Sequence, residues 1–333
     1  MLEKIETLIN SFMNAQMKAL LLAFAGTVLL GIIIIPILRK LKVGQIVRDD
    51  GPKSHLKKSG TPTMGGIIML LVIVGVSIIV PKVASIEYPM ILPVALLTLG
   101  YGLVGFVDDF IKLVLKNPTG LKPKYKMLGL IIISVAFIIY LFSIGFSTET
   151  YLPIFKTYIT LPKWIYIPCA VFIMLACTNS LNLTDGLDGL AAGVNTIIMM
   201  FFTFIALTFG SKDMSVFSAI VTGSCIGFLI FNLHPAKVFM GDTGSLALGG
   251  AFCGVALLLK VPLILIVVAG VCVIEAMSVI LQVSYFKATN GKRLFKMAPI
   301  HHHLELSGWK ETKIVATFWV ITALLCLLGV YMI

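Results

Sequence analysis

The chain has 333 residues, 59% of them hydrophobic and 12% charged, with a mean hydropathy of +1.04. A soluble domain is about 45–50% apolar and about 25% charged, so this composition excludes an ordinary water-soluble protein and points to the bilayer as solvent. The net charge of +11 fits loops rich in Lys and Arg on the cytoplasmic side of a membrane protein, and nucleic acid is not expected as a partner.

Residues 1–18 predict a short amphipathic helix at the membrane surface, and the early Glu3 and Glu6 argue against a cleaved signal peptide. Apolar stretches follow at 19–38, 64–80, 89–107, 127–146, 164–183, 189–209, 215–232, 244–259, 262–286 and 314–333. About 20 residues cross about 30 Å of hydrocarbon, so the expected fold is an all-α polytopic membrane protein of about ten spans. It reads as one integral-membrane transferase domain over residues 1–333, with 64–80 and 244–259 the shortest spans. Between the fourth and fifth spans, Tyr151, Phe155, Tyr158 and Ile159 with Pro153 and Pro162 predict a small β-hairpin. All six cysteines fall in apolar runs without a CxxC pair, and they read as small hydrophobes rather than disulfides or metal ligands.

The connecting segments alternate in charge. Of the 26 Lys and Arg residues, 19 fall on the set 39–63, 107–126, 184–188, 233–243 and 287–313. The positive-inside rule places that set in the cytoplasm, both termini outside, and the hairpin on the outer side. Gly-Thr-Pro-Thr-Met-Gly-Gly at 60–66, Asp108-Asp109, the stretch 182–188, Gly241-Asp242 and the histidines at 301–303 then all lie at cytoplasmic ends of spans. Polar residues needed only for solubility would be scattered over both faces. Their gathering on one face predicts a site there.

Each cluster carries its own chemistry. Adjacent Asp108 and Asp109 at a bilayer boundary repel and are costly to desolvate, which a divalent metal or Lys112, one turn on, would relieve. A solvated helix end with an ordinary ion pair is the plain alternative. Asn179, Asn182, Asp185 and Asp188 are spaced by three, so a continuous helix would carry them as one polar stripe; a helix cap with interhelical hydrogen bonds is the alternative. Gly241-Asp242-Thr243-Gly244-Ser245 at a helix start offers free backbone N–H groups and an acid, a combination that suits a Mg²⁺-diphosphate. It also suits a merely well-capped helix. His301, His302 and His303 are about 100° apart on a helix and cannot all ligate one metal there; they read as hydrogen-bond donors to phosphate or as a solvated cluster. Lys57, Lys58, Lys122, Lys124 and Lys126 mostly report topology, with one or two free to bind phosphate. Glu275 and Gln282 lie within a span and are expected to face the bundle interior, Glu275 for structural pairing or for function.

Taken together in this order along essentially the whole chain, these motifs resemble the phospho-N-acetylmuramoyl-pentapeptide transferases, a branch of the polyprenyl-phosphate N-acetylhexosamine-1-phosphate transferases. Asp108-Asp109 with Lys112, the stretch 182–190 and the stretch 241–245 look like superfamily signatures, whereas 60–66 and 301–305 look specific to the muramoyl-pentapeptide branch. The resemblance implies Mg²⁺ as cofactor, UDP-MurNAc-pentapeptide and undecaprenyl phosphate as reactants, and lipid I and UMP as products, in the bacterial inner membrane. It is compatible with a homodimer and with surrounding membrane lipid. It implies Asp242 as Mg²⁺ ligand, Asp108 and Asp109 as catalytic acids, and His301, His302 and His303 on the phosphates. It implies Phe239 stacked on uracil, with Gly241, Asn232, Asp185, Asp188, Lys58, Lys112, Lys124 and Gln282 lining the nucleotide and sugar site. Two other readings remain: a sibling transferase taking UDP-GlcNAc, against which the 301–305 pattern speaks, and a transporter, which would keep its polar site near the midplane.

Overall fold

A computed structural model describes residues 2–41, 58, 60–84, 88–117 and 119–333, with side chains described beyond 2–14 and 82–84. Lys57 and most of the basic segment before it lie outside the described residues. In chain order come α1 (Leu2–Lys40), α2 (Gly66–Ala84), α3 (Ile91–Leu113), α4 (Pro123–Ser143), strands β1 (Glu149–Leu152) and β2 (Thr157–Thr160), and α5 (Lys163–Thr184). Then follow α6 (Leu190–Thr208), α7 (Lys212–Asn232), α8 (Gly241–Leu258), a 3-10 turn and the short α9 (Leu265–Val268), α10 (Gly270–Ala288), α11 (Ile300–Glu305) and α12 (Glu311–Met332).

Among the described residues nine helices are long and apolar enough to cross a membrane, and the tenth expected span is α2, whose apolar part runs from Gly66 to Pro81. The fold is therefore that of an all-α polytopic membrane protein, as expected. Two expectations about boundaries change. Residues 1–18 are not a separate surface helix: the chain runs as one helix from Leu2 to Lys40, because 14–19 (Asn-Ala-Gln-Met-Lys-Ala) contains no helix breaker. The stretch 262–286 divides, since Pro262 starts a 3-10 turn and the long helix begins only at Gly270.

The hairpin is present. Its strands pair antiparallel with Tyr151 opposite Tyr158, and their rings lie 5.1 Å apart. Tyr151 also donates its hydroxyl to the Ile333 carbonyl at 3.1 Å and its N–H to the Lys260 carbonyl at 2.8 Å. The hairpin thus ties the end of α12 to the turn after α8.

Helix α8 is the most enclosed of the spans. It packs against α3 and α5 along its length and against the start of α2. Small residues make this possible: a Cβ on Gly105 would stand 2.1 Å from the Asp242 carbonyl, and one on Gly66 would stand 2.2 Å from the Gly244 nitrogen. The stretch 60–66 zips onto the chain before α8 as well. Phe239 donates its N–H to the Pro62 carbonyl, Gly65 to that of Phe239 and Gly66 to that of Met240, each at 2.8 Å. The first residues of α8 are thereby pressed against three other elements, which is what builds the site.

Candidate active site

The last two turns of α3 carry Asp108 and Asp109, both almost fully buried. They meet Asp242, the second residue of α8, and the three carboxylates bring oxygen atoms within 4.8 Å of one another. Such a concentration of negative charge needs compensation, because burial removes the screening of water. Lys112, one turn after Asp108 as expected, pairs with it and reaches Asp242 Oδ2 at 3.0 Å. Lys126, from the first turn of α4, reaches the same oxygen at 2.9 Å and lies 3.9 Å from Asp108. Asn182 donates from Nδ2 to Asp242 Oδ1 and to Ser245 Oγ, both at 2.8 Å. Asp108 Oδ1 accepts the Leu121 N–H at 2.7 Å, which fixes the loop between α3 and α4 over the centre.

Asp109 has a different environment from its neighbour. It accepts the N–H of Asp242 at 3.2 Å, the N–H of Thr243 at 2.9 Å and the Thr243 hydroxyl at 2.7 Å. Asp185 accepts the N–H of Gly241. The start of α8 was expected to offer free N–H groups to a phosphate. Instead, side chains from α3 and from the turn after α5 occupy them, and the positive end of the helix is spent on protein carboxylates.

The expected stripe of four polar residues is also interrupted. Helix α5 ends at Thr184, and Gly189 takes a left-handed backbone (φ 79°) before α6. Gly186 and Gly189 favour leaving the helix, so Asp185 and Asp188 sit on a turn while Asn179 and Asn182 stay on α5. Asn179 donates to the Leu175 carbonyl of its own helix at 2.7 Å, away from the carboxylates. Burial pushes the Asp185 carboxyl well above the usual carboxylate range, and the charges of Asp242 and Asp109 push it further.

A second group forms beside the first. Lys58 bonds Asp188 Oδ1 at 2.7 Å and Glu311 Oε1 at 2.5 Å, with its ammonium 5.9 Å from the centre of the Phe239 ring. His234 Nδ1 lies 3.0 Å from Asp188 Oδ2, which also accepts the Ala236 N–H at 3.0 Å. Burial raises the Asp188 carboxyl, but Lys58, the Ala236 N–H and His234 outweigh it and hold the group below the usual carboxylate range. Asn232 is buried and uses both ends of its amide on backbone, accepting from Gly189 at 3.1 Å and donating to the Val238 carbonyl at 2.9 Å. It braces the Phe239 loop against the 185–189 turn. The Phe239 ring is partly exposed, and Gly241 keeps a positive φ of 75° beside the Asp109 carboxylate.

The histidines divide into three environments. His301 is fully buried, its Nδ1 3.1 Å from Glu275 Oε1. His302 pairs through Nδ1 with Glu305 at 2.8 Å, and His303 accepts the Lys296 N–H at 3.1 Å. Gln282 accepts the Phe295 N–H at 2.8 Å and so pins the loop before α11. A groove of about 320 Å³ passes it, lined also by Phe286, Lys287, Arg293 and Met297. Lys124 is exposed and lies over the Tyr125 ring at 5.0 Å, whereas Lys126 faces the carboxylates.

Sequence reasoning singled out neither Glu311 nor His234, and it held Lys126 only within a basic cluster. An acid just before a span, as Glu311 is, is ordinarily a helix-end charge and carries no signal of its own. Lys124 and Lys126 differ by two helical positions, so they point about 200° apart, and only the three-dimensional structure says which faces inward.

The chain matches the family model described as glycosyl transferase family 4 over residues 91–260. A phospho-N-acetylmuramoyl-pentapeptide-transferase of Acetivibrio thermocellus is 52% identical over 313 residues, covering 93% of each chain. Proteins of the same name from Caldanaerobacter subterraneus and Bacillus subtilis are 52% and 48% identical, covering 94% of this chain and 97% and 96% of their own. The likeness runs through every element that builds the carboxylate centre, and the chain belongs to the phospho-N-acetylmuramoyl-pentapeptide-transferase family.

Proposed function

We propose that this enzyme transfers phospho-MurNAc-pentapeptide from UDP-MurNAc-pentapeptide to undecaprenyl phosphate, giving lipid I and UMP, the first membrane step of peptidoglycan synthesis. The reaction takes place at the cytoplasmic face of the bacterial inner membrane. The observation that carries the reading is Asp242, held between Asn182, Lys112 and Lys126 at the boundary of the bundle and beside Asp108.

A site at that boundary suits the two substrates. A polyprenyl tail leaves lipid only at a cost of about 0.8 kcal/mol per CH₂, and a nucleotide diphosphate cannot enter it. The transfer exchanges one phosphoanhydride for another. An oxygen of the lipid phosphate attacks the phosphorus nearest the sugar, the bond from that phosphorus to the bridging oxygen breaks, and UMP leaves with that oxygen. A phosphate monoester has a second pKa near 6, so the acceptor is largely dianionic at neutral pH and a general base has little to gain. The work left to the protein is positioning and charge neutralisation. Lys112 and Lys126 offset the charge of the diphosphate, and Asp108, fixed by the Leu121 N–H, holds Lys112 in place. Asp109 keeps the start of α8 where Asp242 meets them. A covalent phospho-sugar adduct on Asp108 or Asp109, trapped without acceptor lipid, would overturn direct attack.

The donor set fits Mg²⁺. Carboxylates are the hard oxygen ligands it prefers, usually one or two with substrate phosphates and water. Three of them gather within 4.8 Å, and the two lysines already meet the same need for positive charge. With Asp109 engaged by backbone N–H groups, Asp242 and Asp108 are the residues that would hold the ion. When bound, it supplies neutralisation of charge developing on the departing UMP. Lys58, Phe239, Asp185 and Asp188 form the nucleotide side, with the Phe239 ring available to stack on uracil. Purified protein should release UMP from UDP-MurNAc-pentapeptide with undecaprenyl phosphate; turnover of UDP-GlcNAc alone would refute the substrate assignment.

A further inference from the structure

Glu275 and His301 make the most unusual pair outside the carboxylate centre. Glu275 lies within α10, a membrane-spanning helix, and is 0% exposed; His301, on α11, is also 0% exposed. A lone carboxylate at such a place is expensive, and its one ionisable partner within 4 Å among the described residues is His301, with Nδ1 3.1 Å from Oε1; the approach lacks hydrogen-bond geometry, so both Glu275 oxygens and both His301 ring nitrogens are buried without a hydrogen-bond partner. The other ring nitrogen points the opposite way. A Cβ on Gly186 would stand 2.1 Å from His301 Nε2, so the imidazole lies against the backbone of the turn that carries Asp185 and Asp188. That turn in turn holds the Gly241 N–H through Asp185 and bonds Lys58 through Asp188.

Being sealed from solvent, His301 does not meet a bound phosphate in this arrangement. We infer that Glu275 is a positioning residue: its carboxylate orients the His301 imidazole, and the imidazole sets the height of the 185–188 turn on the nucleotide side of the site. This deepens the proposed function and rests on it. Gly186 follows from the same contact, since a side chain there would displace the imidazole.

The test is a double-mutant cycle read by steady-state UMP release from purified protein. Glu275→Gln keeps size and removes charge; it should raise KM for the nucleotide-sugar about tenfold while kcat stays within about threefold, as expected for loss of positioning in binding. On a His301→Gln background the same Glu275→Gln change should add less than about twofold, because the route through the imidazole is already cut. Gly186→Ala should raise KM alone but be tolerated beside His301→Ala, where the added methyl has room. With ¹⁵N-labelled histidine, the signal lost in His301→Gln should shift in Glu275→Gln, and that readout does not need activity.

Wild-type KM in Glu275→Gln with an unmoved His301 signal would overturn the inference. Full additivity of Glu275→Gln and His301→Gln would overturn it too. Failure of the wild type to release UMP would instead refute the proposed function, so the two failures are distinguishable.

Discussion

Asp109 accepts both the backbone N–H and the side-chain hydroxyl of Thr243, at 2.9 and 2.7 Å, across the contact between α3 and α8. Adjacent acids therefore divide their labour. Asp109 anchors the helix that carries Asp242, and Asp108 faces the lysines. Asp109→Ala leaves N–H groups of α8 buried without an acceptor, so it should destabilise the protein by about 1–3 kcal/mol. Thermal unfolding in detergent reads this, and Asp109→Asn, which retains one acceptor oxygen, should lose less.

Lys126 and Lys124 separate cleanly by direction. Lys126 lies 2.9 Å from Asp242, while Lys124 is exposed over Tyr125. Lys126→Ala removes a preorganised positive charge at the site and should cut kcat by about 10². Lys124→Ala should change it less than about threefold. Equal losses in a UMP-release assay would place both lysines at the phosphates.

Asp188 gives a pH dependence of stability. Its folded carboxyl titrates below the usual carboxylate range because of Lys58, the Ala236 N–H and His234. A depressed acid contributes stability that is fully present above its unfolded pKa of about 3.9 and is lost as pH falls through the lower folded value. Wild type should therefore exceed Asp188→Asn in Tm at pH 7, and the gap should close below about pH 4. A gap that persists unchanged at acid pH would show that the carboxylate's charge is not what stabilises the turn.

Gly66 and Gly60 test the packing of the 60–66 stretch. A methyl at Gly66 collides with the Gly244 backbone at 2.2 Å, whereas one at Gly60 meets nothing within 4 Å, although its φ is +86°. Gly66→Ala should cost about 3 kcal/mol or more by forcing α2 off α8. Gly60→Ala should cost about 1–2 kcal/mol from backbone strain alone. Comparing their Tm values checks the order.

Much of this was legible in the sequence because the bilayer imposes it. Apolar length located the spans, and charge asymmetry with polar clustering pointed to one face. The hairpin followed from the aromatic residues between Pro153 and Pro162. The i, i+4 pairing of Asp108 with Lys112 followed from helical geometry. The rest depended on long-range contacts. That the N–H groups of α8 are taken by Asp109, that Asn232 braces the 185–189 turn, and that His301 is buried against Gly186 while His302 and His303 are not are facts about neighbours far off in the chain, up to 134 residues away for Asp109 and Thr243. No local pattern carries them. Glu275 was visible as an acid inside a span, but its partner was not.

The centre built on Asp242 and Asp108 is most directly tested by measuring UMP release from UDP-MurNAc-pentapeptide and undecaprenyl phosphate over a Mg²⁺ titration, with wild type and Asp242→Asn. The account predicts Mg²⁺-dependent UMP release by wild type and a loss of at least about 10² in kcat for Asp242→Asn. Full activity of Asp242→Asn with an unchanged Mg²⁺ dependence would contradict it.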